Sequence, residues 1–263
     1  MPSSTLNISI IQPDIVWEDK AANLQQYEGM IAGIKEKREI VVLPEMFSTG
    51  FSMSPETLAE PMDGLTVQWM KDIARKYKCI LTGSLIIEEQ GNYYNRLLWV
   101  QPDGQVGKYD KRHLFGYADE DQHYTPGNKR LITSVKGFRI CPMVCYDLRF
   151  PVWARNLNKE YDVLIYVANW PEKRSIAWRT LLRARAIENM SYVVGVNRVG
   201  VDGKGHQYIG ESSVFGPLGE EIYQQKDRPA VHTVTLQKEV IEETREHLPF
   251  LEDADRFIIV DEE

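Results

Sequence analysis

Short segments that are apolar at every position recur along this chain, separated by stretches with helical spacing, and that alternation constrains the fold more than any other feature. Residues 40–43 and 163–167 contain no charged or amide side chain, the pattern of strands covered on both faces rather than one. The first half predicts a strand over 6–11, then a helix over 19–38 with Leu24, Tyr27, Ile31 and Ile34 on one side. The strand 40–43 follows, then a helix over 65–77 carrying Trp69, Ile73 and Tyr77, and a strand over 80–87. Segments 93–100 and 105–109 flank Pro102-Asp-Gly104, a turn sequence that predicts a hairpin. The second half repeats the rhythm, with strands over 138–144, 163–167 and 192–197 and helices over 152–159 and 176–189. Shorter strands are expected around 212–215, 220–223 and 231–236. Two comparable halves of this kind predict an α/β fold: a four-layer αββα sandwich of two mixed sheets with outer helices. The expected organisation is a single domain over 1–250, with 251–263 as a C-terminal tail or dimer arm.

A chain of 263 residues, 43% of them hydrophobic, can bury a large core. Its 31 basic and 38 acidic residues leave a net charge of -7, and the basic residues are scattered. Nucleic acid is therefore not an expected partner, since phosphate binding needs concentrated positive charge. No apolar run approaches the roughly 20 residues that span a bilayer, so no membrane association is expected. The beginning lacks the basic and apolar regions of a secretion signal. Three cysteines, an odd number, fit a reducing compartment better than a disulfide framework, and the expected location is cytoplasmic.

The chemistry concentrates where apolar runs end. Residues 138–144 run straight into Cys145-Tyr-Asp-Leu-Arg-Phe-Pro151, which can present one thiol at the mouth of a pocket. A free cysteine is more often a small buried hydrophobe, and Cys141 and Cys79 are expected to be core residues of that kind. A zinc site from Cys141 and Cys145 lacks a second ligand pair at the right spacing, and no metal is expected. Glu45, after Leu43-Pro44, stands where open α/β sheets place functional groups, and partial burial beside Met46 and Phe47 would suit it to shuttling a proton. Its bland alternative is a solvated or capping carboxylate. Lys111 sits among Lys108, Asp110 and Arg112, and Glu120 among other acidic loop residues, so each by itself reads as exposed. Glu, Lys and Cys together make an amide-cleaving set.

At these residues the chain resembles the carbon-nitrogen hydrolase family, also called the nitrilase family. The matching motifs are Leu43-Pro-Glu45, Tyr109-Asp-Lys111-Arg-His-Leu and Val144-Cys145-Tyr-Asp-Leu-Arg-Phe-Pro151, in the family's order and approximate spacing. Tyr124-Thr-Pro-Gly127, Arg183-Ala-Arg-Ala-Ile-Glu-Asn189, and Gly210 with Ser212, Pro217 and Gly219 extend the likeness over nearly the whole chain. Val167-Ala-Asn-Trp-Pro171, Asn197-Arg-Val-Gly200, Pro142 and residues 117–124 look most like the bacterial omega-amidase branch. Cys141-Pro142 departs from the many relatives that carry glycine before the cysteine strand.

The resemblance implies Glu45, Lys111 and Cys145 as catalytic residues, with Glu120 supporting Lys111 and the backbone N–H of Tyr146 facing the oxyanion. It implies a small amide substrate of the 2-oxoglutaramate type, no cofactor, and a homodimer. Arg149, four residues past the cysteine, is the expected grip for a substrate carboxylate. The equal alternative is an ion pair with Asp147 or Glu188. Phe47, Tyr117, Asn169 and Trp170 are expected to wall the pocket. Another amidase, a nitrilase or a carbamoyl hydrolase would use the same three residues. A Cys-His hydrolase built on His113, and a non-catalytic scaffold of the same fold, are rivals from other classes.

Overall fold

The computed structural model describes residues 4–260. Its first half runs β1 (Thr5–Gln12), α1 (Lys20–Ala32), β2 (Ile40–Val42), α2 (Pro55–Leu58), α3 (Leu65–Tyr77), β3 (Ile80–Glu89), β4 (Asn92–Val100) and β5 (Val106–Asp110). A connection carrying α4 (Glu120–His123) leads to β6 (Thr133–Val135), β7 (Phe138–Val144), α5 (Pro151–Ala154), β8 (Val163–Val167) and α6 (Ser175–Asn189). The chain then continues through β9 (Tyr192–Val196), β10 (Val199–Val201), β11 (Gln207–Phe215), β12 (Glu221–Lys226), β13 (Ala230–Gln237) and α7 (Lys238–His247).

These strands form two mixed sheets, one ordered β13-β1-β2-β3-β4-β5 and the other β10-β11-β9-β8-β7-β6 with β12 added on β11. Strands β1, β2 and β3 are parallel, as are β7, β8 and β9, while hairpin and edge partners run antiparallel. The side-chain alternation of strands explains the layers. Ile8 and Ile10 of β1, with Leu97 and Trp99 of β4, pack against Ile140, Ile165 and Val194 of the second sheet. On the opposite face of the first sheet, Val41, Leu81 and Leu98 meet Tyr27, Ile31, Val67 and Met70 of α1 and α3. Trp178 and Leu182 of α6 cover the outside of the second sheet, approaching so closely that a Cβ on Gly195 would stand 2.5 Å from Leu182 Cδ1. The molecule is thus the αββα sandwich that the sequence pattern predicts.

Two helices differ from expectation. Helix α1 starts under the cap of Asp19, whose Oδ1 accepts from Ala22 N at 2.9 Å, but stops at Gly33 instead of continuing to residue 38. The helix expected over 152–159 is a single turn at Pro151–Ala154 followed by a 3-10 turn at Leu157–Lys159. Asn156 causes the break: its side chain donates to Tyr161 O at 2.9 Å and its backbone N–H donates to Asn189 Oδ1 at 2.8 Å, so the chain is bound elsewhere than to a helical ladder. At the C-terminal end, Leu251 is buried and Lys159 pairs with Glu252 at 3.1 Å, whereas Ile258 and Val260 are exposed. Residues 261–263 of the expected arm lie outside the described residues.

Candidate active site

The ends of β2, β7 and β8 converge at one edge of the sandwich, joined there by the end of β5 from the first sheet. Glu45 is fully buried just beyond β2. The chain is held there by Phe47 N donating to Ser84 O at 3.0 Å and by Met46 N donating to Ser84 Oγ at 2.9 Å. Met46 adopts a left-handed φ of 40° in doing so. Lys111 follows β5 directly, its backbone N–H donating to Asn95 O at 3.0 Å. Its Nζ donates to Glu45 Oε1 at 2.9 Å and to both oxygens of Glu120, at 2.9 and 2.8 Å.

All three side chains are sealed from solvent, which makes their mutual charge decisive. Burial alone would pull the Lys111 ammonium down, but Glu120 and Glu45 outweigh it and hold the pKa well above the ordinary value. Burial pushes the Glu120 carboxyl up, with Lys111 opposing and Glu45 adding to the rise. Asn95 completes the set, its Nδ2 donating to Glu45 Oε1 at 2.9 Å and to Glu120 Oε1 at 3.1 Å. Phe115 N also donates to Glu120 Oε2 at 2.6 Å, so four hydrogen bonds from three donor groups fill that carboxyl. Glu45 Oε2 takes Asn169 N at 2.9 Å, which leaves it one acceptor position.

Cys145 lies at the end of β7, half-buried, with φ 43° at the start of the 3-10 turn Cys145–Arg149. A non-glycine residue in this region is uncommon and strained, and such residues gather at functional sites. Asp147 pins the turn: Oδ2 accepts from Val144 N at 3.0 Å and from Tyr109 OH at 2.6 Å, and Oδ1 accepts from His113 N at 3.1 Å. Tyr109 sits two residues before Lys111, so one carboxylate ties the cysteine turn to the lysine strand. Burial and then the charge of Glu45 push the thiol well above its ordinary pKa, with Lys111 pulling the other way; a hydrogen bond to Glu45 adds to the rise. At neutral pH the sulfur is a thiol rather than a thiolate. Tyr146 N–H belongs to the first turn, where helical partners are lacking.

A pocket of about 260 Å³ opens above Cys145 and Lys111, somewhat below the ~300–1,000 Å³ of sites for drug-sized ligands, so a small substrate fits. Arg149, Tyr117, Asn169 and Trp170 all line it. Arg149 lies over the Trp170 ring at 5.0 Å and makes no ion pair with Asp147 or Glu188 among the described residues. Glu188 pairs with Arg185 instead, at 3.0 Å. Asn169 also braces Glu45, its Nδ2 donating to Glu45 O at 2.6 Å. Tyr117 forms the exposed rim.

Phe47 is a correction. It is fully buried on the helix side of the first sheet, edge-on to Tyr27 at 5.5 Å, and does not line the pocket. The left-handed Met46 reverses the chain there, sending Glu45 and Phe47 to different surroundings. His113 stacks on Phe150 at 3.7 Å and places Nδ1 2.8 Å from Asp147, which commits its ring to the turn rather than to the sulfur. Among the described residues no group of three His, Cys, Asp or Glu side chains could hold a metal ion, and no helix is long and apolar enough to cross a membrane.

Sequence reasoning missed Asn95, Phe51, Phe115, Arg174 and the segment 202–208, all at the site. Asn95 carried a signal: it shares its strand face with Leu97 and Trp99, where a polar residue needs a reason. The loop residues carried none.

The chain matches the carbon-nitrogen hydrolase family over residues 7–246. It is 46% identical over 253 residues to omega-amidase YafV of Escherichia coli strain K12, covering 96% of this chain and 98% of that protein. It is 30% identical over 250 residues to 2-oxoglutaramate amidase of Bacillus subtilis strain 168, covering 94% and 96%. A crystal structure of a carbon-nitrogen hydrolase superfamily protein from Xanthomonas campestris, with an arsenic adduct in its active site, superposes with a TM-score of 0.94 at 41% identity, covering 97% of this chain and 99% of that one. Sequence motifs, sandwich architecture and relatives agree, and the chain belongs to the carbon-nitrogen hydrolase family.

Proposed function

We propose that the protein hydrolyses the terminal amide of small 2-oxo-dicarboxylate monoamides, of the 2-oxoglutaramate type, to the acid and ammonia through a thioester on Cys145. The observation that carries this reading is one sealed ammonium, Lys111, shared by two carboxyl groups beside a neutral thiol under a pocket rich in cations. Similarity to an omega-amidase and a 2-oxoglutaramate amidase supports the substrate class.

A thiol held above its ordinary pKa must lose its proton during attack. Glu45 takes it at its remaining acceptor position as Sγ bonds to the amide carbon. The carbonyl oxygen gains charge beside the positive charge of Lys111, whose three N–H bonds point at Glu45 and Glu120, and takes the N–H of Tyr146 as its donor. The proton on Glu45 passes to the leaving nitrogen, the C–N bond breaks, and ammonia departs from a thioester. Glu45 then draws a proton from water as the water oxygen bonds to the thioester carbon, the C–S bond breaks, and the proton passes from Glu45 to the sulfur to restore the thiol. Glu120, its acceptor positions filled, holds Lys111 in place and leaves water activation to Glu45. Arg149 takes the substrate carboxylate, with Asn169, Trp170 and Tyr117 around the chain.

Ammonia release from a panel of 2-oxoglutaramate, glutamine, asparagine, a nitrile and a carbamoyl compound tests the proposal, together with intact-mass detection of an acyl adduct on Cys145. Preferential turnover of 2-oxoglutaramate is expected. Preference for the nitrile or the carbamoyl compound would move the protein to another branch, and no turnover with any of them would favour a scaffold.

We also propose a homodimer, on the exposed apolar residues Val152, Ile176 and Ile187 near α5 and α6 and Ile258 and Val260 in the arm after residue 250. Light scattering of the purified protein at twice the chain mass is expected; a monomer would end this part. Three free cysteines suit the reducing cytoplasm, where we place its action.

A further inference from the structure

One wall of the pocket is a loop between β10 and β11 that is exposed yet tightly braced. Asp202, buried at its base, accepts from Lys204 N and His206 N at 2.9 Å each through Oδ1, and from Tyr208 OH at 2.9 Å through Oδ2. Its Oδ2 also lies 3.0 Å from His206 Nδ1. Two backbone bonds, Asp202 N to His206 O at 3.1 Å and Gly205 N to Asp202 O at 3.0 Å, close the same turn. Gly203 lies flat on the Trp17 indole, where a Cβ would stand 2.4 Å from Nε1. Tyr208 is backed by the buried Arg198 guanidinium at 4.8 Å. Such a loop holds the backbone of Lys204 at the pocket wall, so only the side chain is left to order when a ligand arrives.

The pocket's other rim cations are differently placed. Arg149 lies over Trp170 and Arg174 over Phe115, each at 5.0 Å, so both charges face aromatic rings. Lys204 has neither an ion-pair partner nor a ring beneath it among the described residues, and it lines the same cavity as Cys145. The carboxylates of Asp119 and Asp202 also line the cavity, and Arg149, Arg174 and Lys204 outnumber them and leave the mouth electropositive. An ammonium carried there on a braced backbone favours a ligand that carries negative charge away from its reacting end.

We propose that Lys204 is a specificity residue that, together with Arg149, selects amides bearing a distal carboxylate, a role that rests on the amidase reading above and deepens it. Two amides that differ only in that group, glutaramate and pentanamide, isolate the effect. Relative to wild type, Lys204→Met lowers the ratio of kcat/KM for glutaramate to that for pentanamide about fivefold, the size expected of one partly exposed charge pair. The change lies in KM for glutaramate rather than kcat. Lys204→Arg restores the ratio and Lys204→Glu lowers it further. A ratio that stays at the wild-type value in Lys204→Met, or that falls equally in Lys204→Arg, overturns the role of Lys204 alone. Wild-type enzyme that releases ammonia from neither 2-oxoglutaramate nor glutaramate overturns the substrate reading instead.

Discussion

Cys141 and Cys145 lie four residues apart on one segment, yet their surroundings differ in access and in neighbouring groups. Cys141 is inside β7, registered against Leu164 of β8, with no exposure. Burial pushes its thiol up to about 12, and the nearest charges add little direction. Cys145 stands just past the strand, where the backbone turns left-handed and a cavity opens. Its thiol is raised too, first by burial but next by a carboxyl group that can receive its proton. A raised pKa therefore does not separate an inert thiol from a usable one. What separates them is access and a neighbouring acceptor.

The strongest attempt to break this contrast is Cys145→Ser, which is expected to lower ammonia release about 10⁴-fold or more while the protein stays folded. Residual activity near wild type would remove the proposed nucleophile. Glu45→Gln tests the acceptor and is expected to cost about 10²- to 10⁴-fold in turnover. The same substitution removes a group that raises the Cys145 pKa and leaves Lys111, which lowers it. The thiolate fraction at pH 7.5 rises, so alkylation by iodoacetamide, followed by intact mass, becomes faster as turnover is lost. Slower alkylation would show that the sign of the Glu45 effect is wrong. The smallest effect on activity is expected of Cys141→Ser, which buries a hydroxyl without an arranged partner. It costs about 1–3 kcal/mol by chemical denaturation and leaves turnover per folded molecule at the wild-type level.

The layered fold was legible because apolar strands and amphipathic helices obey different periods. Val163–Val167 and Tyr192–Val196 are buried at every residue, as a run without charged or amide side chains requires. Helix α7 escaped the same reading. Its buried positions are Ile241 and Arg245, and a charge in place of the second apolar residue hides the period. Arg245 is inside because it donates to Asp162 Oδ1 at 2.9 Å and to Tyr161 O at 2.8 Å, partners 80 or more residues away in sequence. The site divides along the same line. Glu45, Lys111 and Cys145 were legible as motifs, whereas Lys204 and His206 depend on a turn built around Asp202 that no local pattern announces. Phe47 departs from expectation because adjacency to Glu45 in the chain does not bring shared surroundings.

The sharing of one ammonium by Glu45 and Glu120 has a consequence for the end of the proposed reaction. The substrate presents an uncharged amide to this buried set, so entry meets no repulsion at the reacting end. Hydrolysis turns that end into a second carboxylate, in a place where two carboxyl groups already compete for a single positive partner. On the proposed reaction the catalytic floor favours departure of the acid over its retention, and weak inhibition by the product is the expected outcome.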